Sequence, residues 1–389
     1  MLATLRAGPY AVNVGQSKAM FDRPPRLAAV ATAVPPHVLP QPEARAQAAR
    51  IFGRTGRLEE RLLSVFDHTG IETRHGVMPL DWFLEPRDFA ERNRLYQEHA
   101  NRLAIEATEK ALAHAGVTPE EIDHVVFVST TGLATPSLDA HLSNALGFRP
   151  DVARSPLWGL GCSGAVAGLA RAAAFACAQT TARVLLVAVE ICTLNFQPED
   201  PSPRNVVGSA LFGDGAAAVV IEGADATRAR PKSARNGAGP ALEILGSGSH
   251  LWRDSMRVMG WDFDAHGLHL VLSRDIPTIV QDCFRPALDR FLAREGLAFG
   301  DVNHVIAHPG GVRVLDALEA ALGRARGSLV QAREILRTFG NMSSPTCLFV
   351  LERALAADTI APGEKALVAA LGAGFCAEFV LARRPHAGD

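Results

Sequence analysis

The chain has 389 residues and a mass of 41.4 kDa, and 48% of its residues are hydrophobic while 21% are charged. This composition is ordinary for a globular protein with a large interior, and it excludes a disordered, collagen-like or coiled-coil chain. The 39 basic and 41 acidic residues give a formal net charge of −2, so there is no overall attraction to nucleic acid or to an anionic membrane.

Cysteine usage and hydropathy bear on the cellular compartment. The six cysteines are too few for a disulfide scaffold, and no Cys-x-x-Cys pair occurs, so we predict no structural zinc site. The first twenty residues contain no continuous apolar segment, which argues against a signal peptide. The most apolar stretch, residues 165–178, is interrupted by Arg171 and is shorter than the ~18 residues that a membrane span needs. We therefore expect a cytoplasmic protein with reduced thiols.

Helices and apolar strands alternate along the chain after an N-terminal arm, residues 1–24. Apolar residues at helical spacing predict a helix from Asn101 to Ala115 that ends at Gly116. Apolar runs predict strands at residues 124–129 and 183–189, and the second run is too continuous for a half-solvated strand. Buried strands separated by helices predict an α/β fold with helices on both faces of a sheet.

An internal repeat organises the chain into two similar halves. Residues 111–128 align without gaps to residues 291–308, and the matched pairs include Gly116 with Gly296 and His124 with His304. Two further matches follow in the same order, Gly161-Cys162 with Gly340-Asn341 and residues 213–220 with 372–380. Three ordered matches indicate duplication and fusion. The aperiodic, Arg/Gly/Pro-rich stretch near 224–240 places the boundary, so we predict halves at residues 25–235 and 236–389.

Cys162 is the candidate nucleophile. It lies between Gly159, Gly161 and Gly164 and directly precedes an Ala-rich helical segment. A cysteine at the start of a helix feels the positive end of the helix dipole, so we expect its thiol pKa to be lowered. The flanking glycines allow the backbone and a substrate to approach closely. The alternative is a small buried core cysteine, which is the usual role of a free Cys.

Two residues of the second half are candidates to work with this thiol. His308 ends an apolar strand and precedes Pro309-Gly310-Gly311, so we expect it to be exposed at a sheet rim, whereas His304 is a structural histidine near the strand start. Asn341 follows Gly340 in a tight loop before a helix. It is either a helix N-cap or an amide that donates to a developing oxyanion. By the repeat, the loops of Cys162 and Asn341 should face each other.

A thiol, an imidazole and an amide at one point suit thioester chemistry. A thiolate can hold an acyl group, while imidazole and amide donors stabilise the enolate left when a malonyl thioester loses CO2. That carbanion then attacks the acyl-cysteine in a Claisen condensation, with no metal or redox cofactor. A Cys-His-Asn protease uses the same residue types, but the two-half repeat argues against it.

Three motifs give the sequence a family resemblance. GLGCSGAVAGL around Cys162, HPGG at 308–311 and GNMSSPT at 340–346 resemble the signatures of chalcone synthase-like (type III) polyketide synthases. The resemblance covers about residues 26–384 and implies a thiolase fold, a five-layered α-β-α-β-α arrangement of two duplicated halves. It implies a homodimer, CoA thioester substrates with malonyl-CoA as extender, no cofactor, and Cys162, His308 and Asn341 as the catalytic triad.

The resemblance also assigns residues to the substrate pocket. ALFGDGAAAVV at 210–220 is similar to the segment that carries a gatekeeper Phe, and LVLSRDIP resembles bacterial members, including alkylresorcinol and alkylpyrone synthases. The GFGPG loop of the plant enzymes is replaced by residues 370–374, ALGAG. Leu270 and Cys192 are smaller or less polar than the side chains at the matching pocket positions of the plant enzymes. This difference favours an apolar tunnel for an alkyl chain, although neutral core substitutions are the alternative. The pocket residues implied are Phe212, Leu270, Cys192, Asn195, Thr131, Trp261 and Ser343.

Substrate delivery and product are predicted less directly. The resemblance places the CoA phosphates near Arg57, Arg61 and His68, where the alternative is a solvated helix face. We expect an acyl-CoA starter, with an acyl carrier protein as a second possible donor, two or three extensions, and an alkylpyrone or alkylresorcinol product. The alternatives are a naphthalene- or phloroglucinol-type product, a single-condensation β-ketoacyl-ACP synthase III-like enzyme, and an inactive homologue that serves as a scaffold.

Overall fold

The structure is a computed structural model that describes residues 21–53, 60–226 and 242–386. Most of the predicted N-terminal arm, and the predicted boundary between residues 235 and 236, lie outside the described residues. The strands, in chain order, are β1 (Arg26–Ala33), β2 (His37–Pro40), β3 (Thr73–Gly76), β4 (His124–Val128), β5 (Ala153–Leu157), β6 (Arg183–Ile191), β7 (Asp214–Glu222), β8 (Leu242–Leu251), β9 (Met259–Asp264), β10 (Gly267–Leu272), β11 (His304–Ala307), β12 (Lys365–Gly372) and β13 (Cys376–Arg383).

Ten α-helices connect these strands in the described part of the chain. They are α1 (Gln41–Gly53), α2 (Glu60–Leu63), α3 (Phe89–Ala115), α4 (Leu138–Leu146), α5 (Gly164–Ala178), α6 (Pro203–Leu211), α7 (Ile276–Arg294), α8 (Val312–Ala321), α9 (Val330–Phe339) and α10 (Thr346–Ala356). Helix α3 contains the predicted helix of residues 101–115 and begins twelve residues earlier, where Asp88 accepts a hydrogen bond from Glu91 N as an N-cap.

Nine strands form one ordered array, β11-β12-β13-β8-β1-β7-β6-β4-β5. In the first half β5, β4 and β6 are parallel, and β7 and β1 follow antiparallel; in the second half β11 and β12 are parallel, and β13 and β8 follow antiparallel. The two halves join where β1 pairs with β8 through two residue pairs only, Arg26 with Glu243 and Leu27 with Leu242. The order β4-β6-β7-β1 of the first half thus matches β11-β12-β13-β8 of the second, and the first half has one additional edge strand, β5.

The helices fall into three layers around these two sheets. Helix α3 packs on β1, β7 and β6 at one outer face, and α7 packs on β8 and β13 at the other. Helices α5 and α10 lie between the sheets, because α5 contacts β4 and β6 as well as β12 and β13, and α10 contacts β1 and β7 as well as β11 and β12. The order of layers is thus α-β-α-β-α, as expected from the sequence.

The composition of α5 follows from this central position. Most of α5 faces one sheet or the other, and it is built largely of Ala, Gly, Val and Leu, while Arg171, Ala174, Phe175 and Ala178 are exposed. At Gly168 a Cβ would lie 2.6 Å from Leu186 Cδ1, so glycine lets the helix approach β6 closely. Residues Gly161–Ala178 are long and apolar enough to cross a membrane by length and composition, but 67% of them are buried inside the fold, as a core helix requires.

The repeat is visible in local geometry. Helices α3 and α7 are each followed by a left-handed glycine, Gly116 at φ 62° and Gly296 at φ 70°. In both places the chain then makes a 3-10 turn, before β4 in the first half and before β11 in the second. His304, at the start of β11, makes a 2.7 Å hydrogen bond between its Nε2 and Glu364, which fits its predicted structural role.

Candidate active site

Two turns that correspond in the repeat carry Cys162 and Asn341, each shortly before one of the two central helices, α5 and α10. Cys162 lies in the 3-10 turn Gly161–Ser163 that leads into α5, and Asn341 lies between α9 and α10. Gly161 at φ 54° and Gly340 at φ 68° start the two turns in the left-handed region that favours glycine. Asn341 is not a helix N-cap, because α10 begins five residues later and Pro345 occupies its N-cap position.

His308 joins these residues from the end of β11. Its backbone N–H donates to Ala369 O on β12 at 2.9 Å, which holds the strand end in register. The side chains of Cys162, His308 and Asn341 line one cavity of about 1040 Å³ between the halves. The expectation of an exposed His308 is wrong: only 4% of the residue is exposed, because the sheet rim here is covered by the opposite half.

The thiol and the imidazole are both neutral in this environment. Burial raises the pKa of Cys162 to about 11, and hydrogen bonds with Ser343 and Asn341 oppose that rise only in part. The predicted lowering of the thiol pKa by the helix start is therefore wrong, because desolvation of a thiolate outweighs the dipole. Burial also lowers the pKa of His308 to about 3. Neither ring nitrogen of His308 has a hydrogen-bond partner among the described residues, so the imidazole is available to a substrate.

The amide of Asn341 is oriented by its neighbours. Its Oδ1 accepts a 2.8 Å hydrogen bond from Ser343 N, and its Nδ2 lies 3.4 Å from Gly310 O, in the HPGG turn. Ser343 is held at φ 59°, an unusual conformation for a residue other than glycine. With Oδ1 engaged by the backbone, the amide N–H groups are the part of Asn341 that remains for the cavity.

Four of the predicted pocket residues connect this cavity to a smaller one. Cys192, Phe212, Trp261 and Leu270 line both the main cavity and an inner cavity of about 80 Å³. Ser343 lines the main cavity and Asn195 the inner one. Thr131 lines neither; its neighbour Thr130 lines the main cavity. The remaining walls of the inner cavity are mostly apolar and come from α1 and the segments around it, Leu39, Ala44, Ala48, Ile51, Phe66, Leu80, Phe83 and Phe196. The polar side chains on these walls are Gln47, Arg74, Thr193, Asn205 and Ser209.

The predicted CoA residues are only partly described. His68 lines the main cavity, Arg57 lies outside the described residues, and so does the side chain of Arg61. Three exposed arginines that we did not predict line the same cavity, Arg204 on α6, Arg274 before α7 and Arg313 on α8. Among 39 basic residues nothing in the sequence distinguishes them, except that Arg313 follows the HPGG motif by two residues.

Thr131 donates a hydrogen bond to the buried carboxyl group of Glu190, a residue that we also did not predict. Glu190, at the end of β6, is fully buried and accepts hydrogen bonds from Thr130 N, Thr131 Oγ1 and Ser344 Oγ at 2.7–2.8 Å. Ser344 belongs to the turn of Asn341, so Glu190 links the two halves beneath the cavity. Burial raises the pKa of Glu190 to about 7. The described residues contain no group of three His, Cys, Asp or Glu placed to hold a metal ion.

Comparison with known proteins assigns this architecture. Residues 15–226 match the family model "Chalcone and stilbene synthases, N-terminal domain", and residues 247–384 match the corresponding C-terminal domain. The chain belongs to the chalcone and stilbene synthase family. It is therefore a type III polyketide synthase, an acyltransferase, and its five-layered architecture is the thiolase fold, which confirms both predictions.

Bacterial type III polyketide synthases are among its relatives. The chain is 38% identical to a putative chalcone synthase of Bacillus subtilis, over 90% of this chain and 96% of the relative. It is also 38% identical to a 1,3,6,8-tetrahydroxynaphthalene synthase of Streptomyces peucetius, over 95% and 96%. The crystal structure of the Streptomyces coelicolor tetrahydroxynaphthalene synthase superposes with a TM-score of 0.84 at 30% identity, over 93% of this chain and 99% of that one.

Proposed function

We propose that this type III polyketide synthase builds its product on Cys162, with His308 and Asn341 as hydrogen-bond donors to the extender unit. The observation that carries the proposal is that these three side chains, from both halves, line one cavity. The thiol comes from one turn of the repeat and the amide from the equivalent turn. The neutral imidazole enters from the neighbouring strand end.

Starter transfer requires a proton acceptor, because the buried thiol is neutral. His308 is unprotonated at neutral pH and accepts the thiol proton as Cys162 attacks the thioester carbonyl of an acyl-CoA. The C–S bond to CoA then breaks, and the CoA sulfur leaves with the proton that His308 returns. The acyl group is left as a thioester of Cys162.

Chain extension uses the second thioester. Malonyl-CoA loses CO2, and the electron pair of the broken C–C bond moves to the thioester oxygen as an enolate, which accepts hydrogen bonds from His308 and the Asn341 amide. The enolate carbon attacks the acyl-Cys162 carbonyl and expels the thiolate. The lengthened chain is then a CoA thioester and returns to Cys162 for the next cycle, two or three times in all.

The inner cavity supports a fatty acyl starter. It opens from the main cavity past Phe212 and Leu270, and its walls are largely apolar. Each methylene buried there contributes ~0.8 kcal/mol, so an alkyl tail favours this position. We propose that the alkyl chain of the starter occupies it and that the product is an alkylpyrone or alkylresorcinol.

The second candidate is a naphthalene-type product without an alkyl tail. It is favoured by the relatives named as 1,3,6,8-tetrahydroxynaphthalene synthases, which match at 38% and 30% identity. The two candidates differ in the starter, because a tail in the inner cavity requires an acyl-CoA longer than the malonyl unit itself.

Incubation with malonyl-CoA and a series of acyl-CoAs from two to sixteen carbons, followed by mass spectrometry, separates the candidates. We expect acyl-CoA starters to be incorporated into the products, with the preferred length set by the inner cavity. Ala48→Phe, which fills the inner cavity, should shorten the preferred starter, whereas Ala46→Phe on the exposed face of α1 should not. Products from malonyl-CoA alone, unchanged by added acyl-CoA or by Ala48→Phe, would contradict the alkyl proposal. Acylated carrier protein in place of acyl-CoA tests the other predicted donor.

We further propose that Arg204, Arg274 and Arg313 bind the phosphates of CoA thioesters at the entrance, together with His68. Their support is that exposed cations from three separate elements line the cavity that contains Cys162. The homodimer and the boundary near residue 235 stay predictions from the sequence; sedimentation of the purified chain measures the first.

A further inference from the structure

The C-terminal end of α6 has a hydrogen-bond donor for each of its last four carbonyl groups. Such carbonyls have no partner within a helix and need one from elsewhere when they are buried. Here the four donors come from four separate places in the chain. In order, Gly208 O accepts from Phe212 N at 2.9 Å, Ser209 O from Arg74 Nη1 at 2.7 Å, Ala210 O from Gln41 Nε2 at 2.8 Å, and Leu211 O from Asn341 N at 2.9 Å.

Arg74, on β3, is the centre of this arrangement. The same Nη1 also donates to Phe212 O at 2.7 Å, and its Nε donates to Gln41 Oε1 at 3.1 Å. The residue is 3% exposed, and burial lowers its pKa to about 10, so the guanidinium remains charged at neutral pH. A cation at a helix C-terminus is favourable because it faces the negative end of the helix dipole.

The other side of Arg74 contacts the turn that carries Asn341. A Cβ on Gly340 would lie 2.6 Å from Arg74 Cγ, so the arginine stem packs directly against this glycine. Phe212 and Asn341 form a parallel β-bridge, in which Gly213 N donates to Asn341 O at 3.0 Å. Arg74 therefore contacts both partners of this bridge, Phe212 through its guanidinium and the Asn341 turn through its methylenes.

We infer that Arg74 is a positioning residue that fixes the Phe212 backbone and the Asn341 turn relative to each other. This inference rests on the proposed function, in which Asn341 donates to the enolate and Phe212 separates the main cavity from the inner one. Without the guanidinium, two buried carbonyls at the end of α6 lose their donor and the helix end shifts. A displacement of about 1 Å at a donor can cost on the order of 10²-fold in rate.

The test separates the steps of the reaction. Arg74→Met keeps the stem and removes both carbonyl donors, while Arg74→Lys keeps the charge but has an ammonium that cannot span both carbonyls. Arg183→Met is the matched control, because Arg183 is also mostly buried and donates to Glu222 and to Ala226 O. Arg183 is the first residue of β6, at the opposite end of the strand from Glu190. Three rates are measured: malonyl-CoA decarboxylation, iodoacetamide labelling of Cys162, and formation of each product length.

We expect Arg74→Met to lower kcat for decarboxylation roughly 10- to 100-fold. KM for malonyl-CoA should stay within about threefold, and Cys162 labelling should change much less than decarboxylation, because no hydrogen bond joins Arg74 to the thiol turn among the described residues and Arg74 reaches Cys162 only through the Asn341 turn. The products should also shift in length. Arg74→Lys should recover part of the decarboxylation rate, and Arg183→Met should lower stability without changing the ratio of decarboxylation to labelling.

The inference is overturned if that ratio in Arg74→Met matches the ratio in Arg183→Met; product length does not decide it, because Arg74 also lines the inner cavity and its replacement changes that wall directly. If Arg74→Met does not fold, Arg74→Lys decides in the same way, because wild-type values in that variant also overturn it. A wild-type enzyme that fails to decarboxylate malonyl-CoA contradicts the proposed function itself, which distinguishes the two failures.

Discussion

The turns of Cys162 and Asn341 are the same structure used twice. Each follows a glycine in the left-handed region, and each leads to a helix that is buried between the two sheets. One turn presents a thiol and the other an amide, in the same cavity. A duplicated fold therefore offers two equivalent positions that face each other, and different residues at these positions give two different chemical groups at one point.

The halves differ more at the neighbouring strand end. His308 follows β11, whereas the aligned residue of the first half is Val128, at the end of β4 and 1% exposed. A Cβ on Gly164 would lie 2.6 Å from Val128 Cγ1, so this valine packs against the turn of Cys162. In our proposal the second half thus supplies both donors for the extender unit and the first half supplies the nucleophile. Substitutions in one half should therefore affect one step and spare the other.

The largest expected effect is the loss of the nucleophile. Cys162→Ala removes the only sulfur to which the proposed mechanism attaches the chain, so polyketide formation should fall below detection. Decarboxylation of malonyl-CoA should stay within about threefold of wild type, because its donors lie in the other half. Mass spectrometry of products and the release of CO2 measure the two steps. Polyketide from this variant would refute the assignment of Cys162.

Asn341→Ala should produce the opposite pattern. Removal of one oxyanion donor should slow decarboxylation by roughly 10²–10³-fold. Labelling of Cys162 by an acyl-CoA in the absence of malonyl-CoA should continue. Asn303→Ala is a control in the same half, since Asn303 accepts a hydrogen bond from Lys365 N away from the cavity. Equal losses in both steps would show that the division between halves is wrong.

Glu190, which joins the two turns through Ser344, predicts a dependence of stability on pH. Its pKa is raised from 4.5 to about 7 in the folded chain, so the folded state holds a proton that the unfolded state releases above pH 4.5. Its contribution to stability is complete below pH 4.5 and is lost as the pH rises through 7. The unfolding free energy of the wild type minus that of Glu190→Gln should therefore decrease by on the order of 3 kcal/mol between pH 4.5 and pH 8, because only the wild type loses stability from this group.

Denaturant unfolding of both proteins across this pH range measures that difference. The glutamine variant keeps the shape of the carboxyl group and cannot ionise, so titration of all other groups cancels in the comparison. A difference that is constant with pH would mean that the pKa of Glu190 is the same in the folded and the unfolded chain, which contradicts the prediction.

The smallest expected effect concerns the entrance. Arg313→Ala and Arg274→Ala should each raise KM for malonyl-CoA about fivefold at low salt, since an exposed charge contact contributes up to ~1 kcal/mol. The effect should diminish at high salt and leave kcat unchanged, because in our proposal these side chains bind phosphate and do not contact the reacting carbonyl groups. Arg285→Ala is the control; Arg285 is a half-buried arginine of α7 that pairs with Asp289. Unchanged KM in both entrance variants would refute this phosphate site.

Much of the fold follows from the sequence, because its signals are local and repeated. The helix and the strands were readable from apolar periodicity, and the repeat placed Cys162 opposite Asn341. The electrostatics were not readable, since desolvation depends on the opposite half of the chain: the buried thiol has a raised pKa where the helix start alone predicts a lowered one. The prediction that His308 is exposed is wrong for the same reason.

Single positions were missed where neighbours in sequence face different ways. Thr131 was predicted to line the pocket, but it turns toward Glu190 and Thr130 lines the cavity instead. Glu190 itself had a signal, because it is a lone charge that directly follows the apolar run of residues 183–189. Arg74 had none, since its partners are backbone carbonyls of α6, a helix more than 120 residues later in the chain.

The small side chains of α5 have one more consequence. This helix separates the two sheets, and where Gly168 approaches Leu186 it has no spare volume. A bulkier residue there would push the sheets apart and, with them, Cys162, His308 and Asn341. The diameter of α5 therefore limits how closely the two sheets that carry Cys162, His308 and Asn341 can approach each other.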